Sequence, residues 1–419
     1  MKKVLHITAH LGGGAGKAIS GVLKYLNQYE NTVLLLDEPA ETKYVECCKS
    51  NGINIAVAND IEKINALIKQ ADVVVLNWWC HPLFVNVFKA LRNTEARVVI
   101  WSHINGLFYP YLPFEFLDLF EKIMVTSPCV FDNTYWSEKQ KTLIKNKTQL
   151  VYGMGDFSPE ANPCKRHYDI REKCNICYTG TLNYSKLNPA FPEICKKIKE
   201  SVKNAEFQLY GRADEDFKDS YNTDYVTFKG FVTNIEEKIV NADLFCYPLT
   251  KENYATTENS LLEAMAAALP IVVLNNPAER NIIIHNETGL VADSIEEFID
   301  FSVMLCNDLE LRKRLGENAR QSVIQKYSCE VNVANFSSCI EDVLKNEKKI
   351  VEYEKLLGDT PWDFFKFFCG EDIVTVNKIL NGESLKLPQI YYSESKSSVS
   401  HFLKYYKDDS LKNFKGRLL

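Results

Sequence analysis

Val4-Leu5-His6-Ile7-Thr8-Ala9-His10-Leu11-Gly12-Gly13-Gly14-Ala15-Gly16-Lys17 begins as an apolar, β-branched run and ends with four glycines in five residues. A short continuous apolar run of this kind reads as a strand buried on both faces, as in a parallel sheet covered by helices. The glycines permit a tight turn, positive φ and close approach of backbone to a ligand, and a helix starting there offers unpaired N–H groups to an anion. The stretch is not a Walker A loop, because Leu11 stands where its first glycine belongs and Ala18 where Ser or Thr would bind magnesium. Nor is it the dinucleotide fingerprint, since Lys17 occupies the third glycine position. Approach of a phosphate or sugar to Gly13, Gly14 and Gly16 is the better reading of the turn.

The same grammar continues outward. Strands are expected at Val4–Thr8, Thr32–Leu36, Val73–Leu76, Val98–Trp101, Ile123–Thr126 and Leu150–Tyr152, with helices such as Lys17–Gln28, Ile61–Gln70 and Phe84–Leu91 between them. Residues 156–172 lack periodicity and carry Pro159, Pro163 and Lys165-Arg166-His167, which reads as a linker. A second series follows, with strands expected at Ile176–Tyr178, Phe207–Tyr210, Val226–Phe228, Leu244–Tyr247, Ile271–Leu274 and Leu290–Ala292. The expected fold class is therefore α/β, with doubly wound parallel-sheet domains over residues 1–155 and 173–340. Ligands of such sheets bind beyond the carboxyl ends of the strands, so an interdomain cleft is the expected site. Residues 341–419 are expected to be a helical C-terminal extension, entered by a polar helix at Cys339–Leu357. Its aromatic run, Trp362-Asp363-Phe364-Phe365-Lys366-Phe367-Phe368, is expected to pack on the domains, with a membrane or partner surface as the sharper alternative.

Composition narrows the classes. The chain has 419 residues, 46% hydrophobic and 25% charged, with a net charge of −6, which excludes a disordered chain and a basic nucleic-acid binder. Thirteen scattered cysteines, several inside apolar runs, suit a reducing compartment. The apolar run after Met1-Lys2-Lys3 is too short for a signal peptide, so a cytoplasmic protein is expected.

The segment Tyr254-Ala255-Thr256-Thr257-Glu258-Asn259-Ser260-Leu261-Leu262-Glu263-Ala264-Met265-Ala266-Ala267-Ala268-Leu269-Pro270 is the richest in chemistry. Thr256 or Thr257 is expected to cap a helix whose first turn presents the Asn259 and Ser260 amides to a phosphate. Glu263 stands among Leu, Ala and Met, where a carboxylate needs a partner to repay desolvation; a pair of ribose hydroxyls would serve.

With these motifs in order, residues 1–340 resemble the retaining, nucleotide-sugar-dependent GT-B glycosyltransferases of family 4, "glycosyl transferases group 1". The matching stations are Gly12–Gly16, Ser102-His103, Tyr178-Thr179-Gly180-Thr181-Leu182 with Lys186, Tyr210-Gly211-Arg212, Phe228–Phe231, Ala242–Pro248, Glu258–Pro270 and Asn286-Glu287-Thr288-Gly289-Leu290. The resemblance implies that Lys186 neutralises the donor diphosphate, that Glu263 holds the ribose, and that His103 lies near the transferred sugar. Gly13, Gly14, Gly16, Gly180, Thr181, Arg212, Glu258, Asn259 and Ser260 would complete the substrate site, with His103, Lys186 and Glu258 catalytic. It implies a glycan or glycolipid acceptor, and no metal or cofactor beyond the nucleotide-sugar co-substrate. Two positions depart from the family: Thr181 replaces its arginine, and Ala255 replaces the first glutamate of its acidic pair. Glu258 would then face the sugar instead. These departures leave a second reading open, a non-catalytic nucleotide-sugar-binding partner of an active transferase.

Weaker signals remain. Cys174-Asn175-Ile176-Cys177 has metal-ligand spacing but no second pair, and Asp214-Glu215-Asp216 reads as a solvated turn rather than a cation site. The basic run Lys139–Lys147 reads as a wet helix face, and is the first candidate for a peripheral membrane contact.

Overall fold

The computed structural model describes residues 1–39, 42–158, 168–169, 172–184, 186–213, 215–221, 223–232 and 235–418. Much of the expected linker and Asp214 lie outside the described residues.

The chain divides into two compact units. The first comprises Met1–Asp156, Tyr254–Thr256 and Cys329–Leu419. Its strands are β1 (Lys2–Thr8), β2 (Tyr29–Leu35), β3 (Asn54–Val57), β4 (Val73–Trp78), β5 (Val98–Ser102), β6 (Lys122–Val125) and β7 (Thr148–Leu150), in the order β3-β2-β1-β4-β5-β6-β7. Every pairing is parallel. The second unit comprises Phe157–Asn253 and Thr257–Ser328. Its strands are β8 (Cys174–Thr179), β9 (Ala205–Tyr210), β10 (Val226–Gly230), β11 (Leu244–Tyr247), β12 (Ile271–Leu274) and β13 (Leu290–Ala292), again parallel and ordered β10-β9-β8-β11-β12-β13. In each sheet the order reverses once, between β1 and β4 and between β8 and β11. The connections leaving those two strands diverge, which opens a crevice at their carboxyl ends.

The second unit ends at Ser328, not at residue 340. Helix Cys329–Leu344 buries Phe336, Cys339, Ile340 and Val343 in the first unit's core with Val4, Ala18, Val75 and Val99. The expected helix Cys339–Leu357 is interrupted: residues 345–353 leave the helical path, and Lys349 and Ala96 exchange backbone hydrogen bonds of 3.0 and 3.1 Å. The aromatic run beyond it is core. Phe364 and Phe368 close over Trp78, the latter at 5.0 Å between ring centroids, together with Phe84, Phe88 and Phe116. Each such ring removed from water contributes about 1.5–3 kcal/mol, so the extension completes the first unit. Among the described residues no helix is long and apolar enough to cross a membrane.

Candidate functional site

In the second unit, chemistry gathers at the β8–β11 reversal. The loop after β8 is pinned by backbone bonds: Gly180 N–H donates to Tyr210 O at 3.0 Å and Leu182 N–H to Arg212 O at 3.2 Å. Thr250 N–H donates to Lys186 O at 2.8 Å, and Asn188 N–H to Pro248 O at 2.9 Å, which ties this loop to the segment leaving β11. Lys186 Nζ thereby sits 2.9 Å from Glu258 Oε2 and 5.6 Å from the centre of the Tyr247 ring, whose hydroxyl donates to the same carboxylate oxygen. The Glu258 side chain is 6% exposed and that of Lys186 29%, so the pair is desolvated on one side and open on the other. Burial is the largest single influence and works against the Lys186 charge, but the Glu258 carboxylate together with the Tyr247 and Tyr178 hydroxyls outweighs it and holds the ammonium well above its ordinary value. Glu279 lies close enough to feel both charges. Burial first, and the Glu258 carboxylate second, push its carboxyl up to about 8, so it is protonated at pH 7. Asn276 Nδ2 donates to Glu279 Oε1 at 3.1 Å, and Oε2 has no partner among the described residues.

Helix Asn259–Ala266 starts where the sequence placed it, with a different cap. Glu258 is the N-cap, with no side-chain cap bond, because its carboxylate is turned to Lys186 and Tyr247. Thr256 belongs to the first unit, where its hydroxyl accepts from Thr126 Oγ1 at 2.8 Å. Ala255, at the altered acidic position, presents its carbonyl to Asn105 Nδ2 at 2.8 Å. Glu263 is half-buried on the helix, as are Asn259 and Ser260 at its start. Thr181 is exposed, and so is Arg212, whose guanidinium lies 5.4 Å from the Phe231 ring centre. Glu215 pairs with Lys218 at 2.6 Å at the start of a short helix. Gly211 needs its missing side chain: a Cβ there would stand 1.8 Å from Gly180 O. Gly211→Ala is expected to displace the loop carrying Lys186 and to cost about 1–3 kcal/mol, measured as a lowered unfolding midpoint in urea.

In the first unit, the helix after the glycine turn begins at Gly13 (φ 57°), with Gly13 and Gly14 exposed. Gly16 is buried, where a Cβ would lie 2.6 Å from the Leu11 backbone. His103 follows β5, with Nε2 3.5 Å from Asn77 Oδ1 and its ring 4.7 Å from Trp101. Burial pushes its imidazole down to about 3, so it is neutral at pH 7. The sequence reading missed a group beside these residues. His10 Nδ1 accepts from Gly12 N–H at 3.0 Å, and its ring lies 4.6 Å from Trp79 and 6.3 Å from His81, both just beyond β4. Their position after Asn77-Trp78 at a strand's carboxyl end was the available signal.

Residues 173–308 match the family described as "Glycosyl transferases group 1". Over 218 residues the chain is 29% identical to N-acetyl-alpha-D-glucosaminyl L-malate synthase of Bacillus anthracis, a match over 48% of this chain and 55% of the synthase. The chain thus spans about half the length of that relative. Among solved structures, Anabaena HepE in complex with UDP superposes with a TM-score of 0.64 at 13% identity, covering 82% of this chain and 100% of that one. A glycosyltransferase from Rickettsia africae gives 0.65 at 15% identity, covering 82% and 99%. Both likenesses are to the fold. The two reversed parallel sheets and the likeness to these structures place the chain in the GT-B fold, and its residues 173–308 are similar to the glycosyl transferases group 1 family.

Proposed function

We propose that the protein transfers a sugar from a nucleoside-diphosphate sugar to a hydroxyl of a glycan or glycolipid acceptor, with retention at the anomeric carbon and without a metal ion. The observation that carries this reading is the Lys186 ammonium at the β8–β11 reversal, kept charged by Glu258 and open to solvent on one side. A cation there, beside the uncapped start of helix Asn259–Ala266, suits a diphosphate leaving group. The bond between the anomeric carbon and the phosphate oxygen breaks, and the acceptor oxygen bonds to that carbon on the same face. The acceptor's proton leaves with the nucleoside diphosphate. Neutral His103 suits a role in hydrogen bonding to sugar hydroxyls. The half-buried Glu263 carboxylate suits the ribose, and Gly13, Gly14, Gly16, Gly180, Thr181 and Arg212 suit close approach of the substrates.

Calorimetry with UDP, GDP and ADP in excess EDTA tests the donor side. Lys186→Ala is expected to weaken the matching diphosphate by about tenfold to a hundredfold while sparing the free nucleoside, as the loss of a charge-assisted bond worth ~1.5–3 kcal/mol requires. Glu263→Ala is expected to weaken nucleoside and nucleotide alike. Equal loss for all ligands in Lys186→Ala, or binding that appears only with manganese, would overturn the mechanism.

A further inference from the structure

We infer that the C-terminal segment Lys396–Tyr405 forms a wall of the acceptor subsite, and that His401 is a specificity-determining residue for a neutral pyranose. The inference rests on the glycosyltransferase reading and deepens it by naming the acceptor's chemistry and the segment that selects it.

The location comes from topology. The first sheet reverses between β1 and β4, so the residues leaving these strands line a crevice. They are His10 with the exposed glycine turn on one side, and Trp79 and His81 on the other. Helix Val399–Tyr405 joins this group from the far end of the sequence. The His401 ring lies 4.6 Å edge-on from His81, and the Tyr405 ring 5.2 Å from His81. The Tyr405 hydroxyl donates to Asp37 Oδ2 at 2.5 Å, beyond the end of β2.

The segment is held there at a cost. Lys396 and Ser397 have φ of 58° and 66°, and Cys80, which Ser397 meets, has 61°. Left-handed backbone is strained at a residue with a side chain, and such strain persists where surrounding contacts over-determine it. The contacts are present: Ser397 Oγ donates to Cys80 O, Tyr109 OH donates to Ser397 O, and Ser397 N–H donates to His401 Nδ1 at 3.1 Å. Because Nδ1 accepts, the ring's proton is on Nε2, which is therefore a donor.

A second observation points to a ligand. The Trp79 indole N–H is buried and has no acceptor among the described residues, although the ring as a whole remains partly open. A buried donor left without an acceptor is costly, and a sugar hydroxyl would supply that acceptor. The lining is chemically consistent. Burial pushes His81 down to about 2 and His401 to about 4, so both imidazoles are neutral at pH 7. The nearby charged groups are engaged elsewhere: the Asp37 carboxylate by Tyr405, the Lys396 ammonium over the Tyr254 ring, and the Lys404 ammonium by Glu394 O. Neutral donors and acceptors interleaved with aromatic faces match the alternating hydroxyl and C–H surface of an uncharged pyranose.

Saturation-transfer NMR on the full chain tests this with the methyl glycosides of glucose, galactose, mannose and N-acetylglucosamine, and with methyl glucuronide. Wild type is expected to bind at least one neutral glycoside, and His401→Ala to bind it at least tenfold more weakly. His401→Asn, whose Oδ1 is able to take over the Ser397 N–H and keep the turn, is expected to change the preference among the glycosides. UDP and GDP affinities, read by calorimetry on the same samples, are expected to stay within twofold. Absence of glycoside binding to wild type, a preference for the glucuronide, or an unchanged glycoside profile in folded His401→Asn overturns the inference. Glycoside binding that depends on His401 in a chain that binds no nucleotide supports this site and overturns the transferase reading instead.

Discussion

Glu258→Ala is expected to destabilise the second unit by about 3 kcal/mol. The Glu258 carboxylate accepts from both the Lys186 ammonium and the Tyr247 hydroxyl, and its removal strands two donors in a largely desolvated place. Breaking a buried pair by deleting one partner costs about 3–5 kcal/mol, and the partial exposure of Lys186 puts this case at the lower end. Adding Lys186→Met should return most of the loss, because the uncompensated charge disappears with its side chain. Urea titrations of the two single variants and the double variant check both statements. Additive losses would mean that the two side chains do not act on each other.

Glu279→Gln is expected to stabilise the same unit, by about 5 kcal/mol above pH 8 and not at all below pH 4.5. The Glu279 carboxyl is raised from 4.5 to about 8 by burial and by Glu258. Below pH 4.5 folded and unfolded chains both carry the proton. Between 4.5 and 8 only the folded chain keeps it, so each pH unit removes ~1.36 kcal/mol from wild-type stability. Above 8 both states are ionised and the loss is complete. Glutamine has the shape of the protonated carboxyl, keeps an oxygen for Asn276 and never ionises, so the full difference above pH 8 is about 5 kcal/mol. Unfolding midpoints of the two proteins from pH 5 to 9 should therefore diverge as pH rises. Parallel curves would show that Glu279 ionises normally.

The parallel sheets were legible because their strands are continuous apolar runs, such as Val73–Leu76 and Ile271–Leu274, and burial on both faces leaves no other use for them. The strand Asn54–Val57 was not: it is a short, half-exposed edge strand and carries little apolar signal. Lys186 and the helix at Asn259 were readable from local motifs, yet their connection through Glu258 spans 72 positions and exists only in the fold. Glu279, in the short helix Pro277–Arg280, reads as a solvated turn residue until packing buries it. The His10, Trp79, His81 and His401 group shares no spacing at all, since it joins the connections after β1 and β4, which the reversal of the sheet brings together, to a helix near the end of the sequence.

The first unit is discontinuous in sequence, and this has a consequence for vectorial synthesis. Apart from Tyr254–Thr256, the second unit lies within Phe157–Ser328 and leaves the ribosome complete while residues 329–419 are still to be made. Until then the nascent first unit lacks Phe336 and Ile340 against one layer of its core, and Phe364 and Phe368 over Trp78. An upstream nucleus with that much uncovered apolar surface is a natural substrate for chaperones. The earliest-synthesised half of this protein should thus be the last to become protease-resistant, the reverse of the usual N-to-C order.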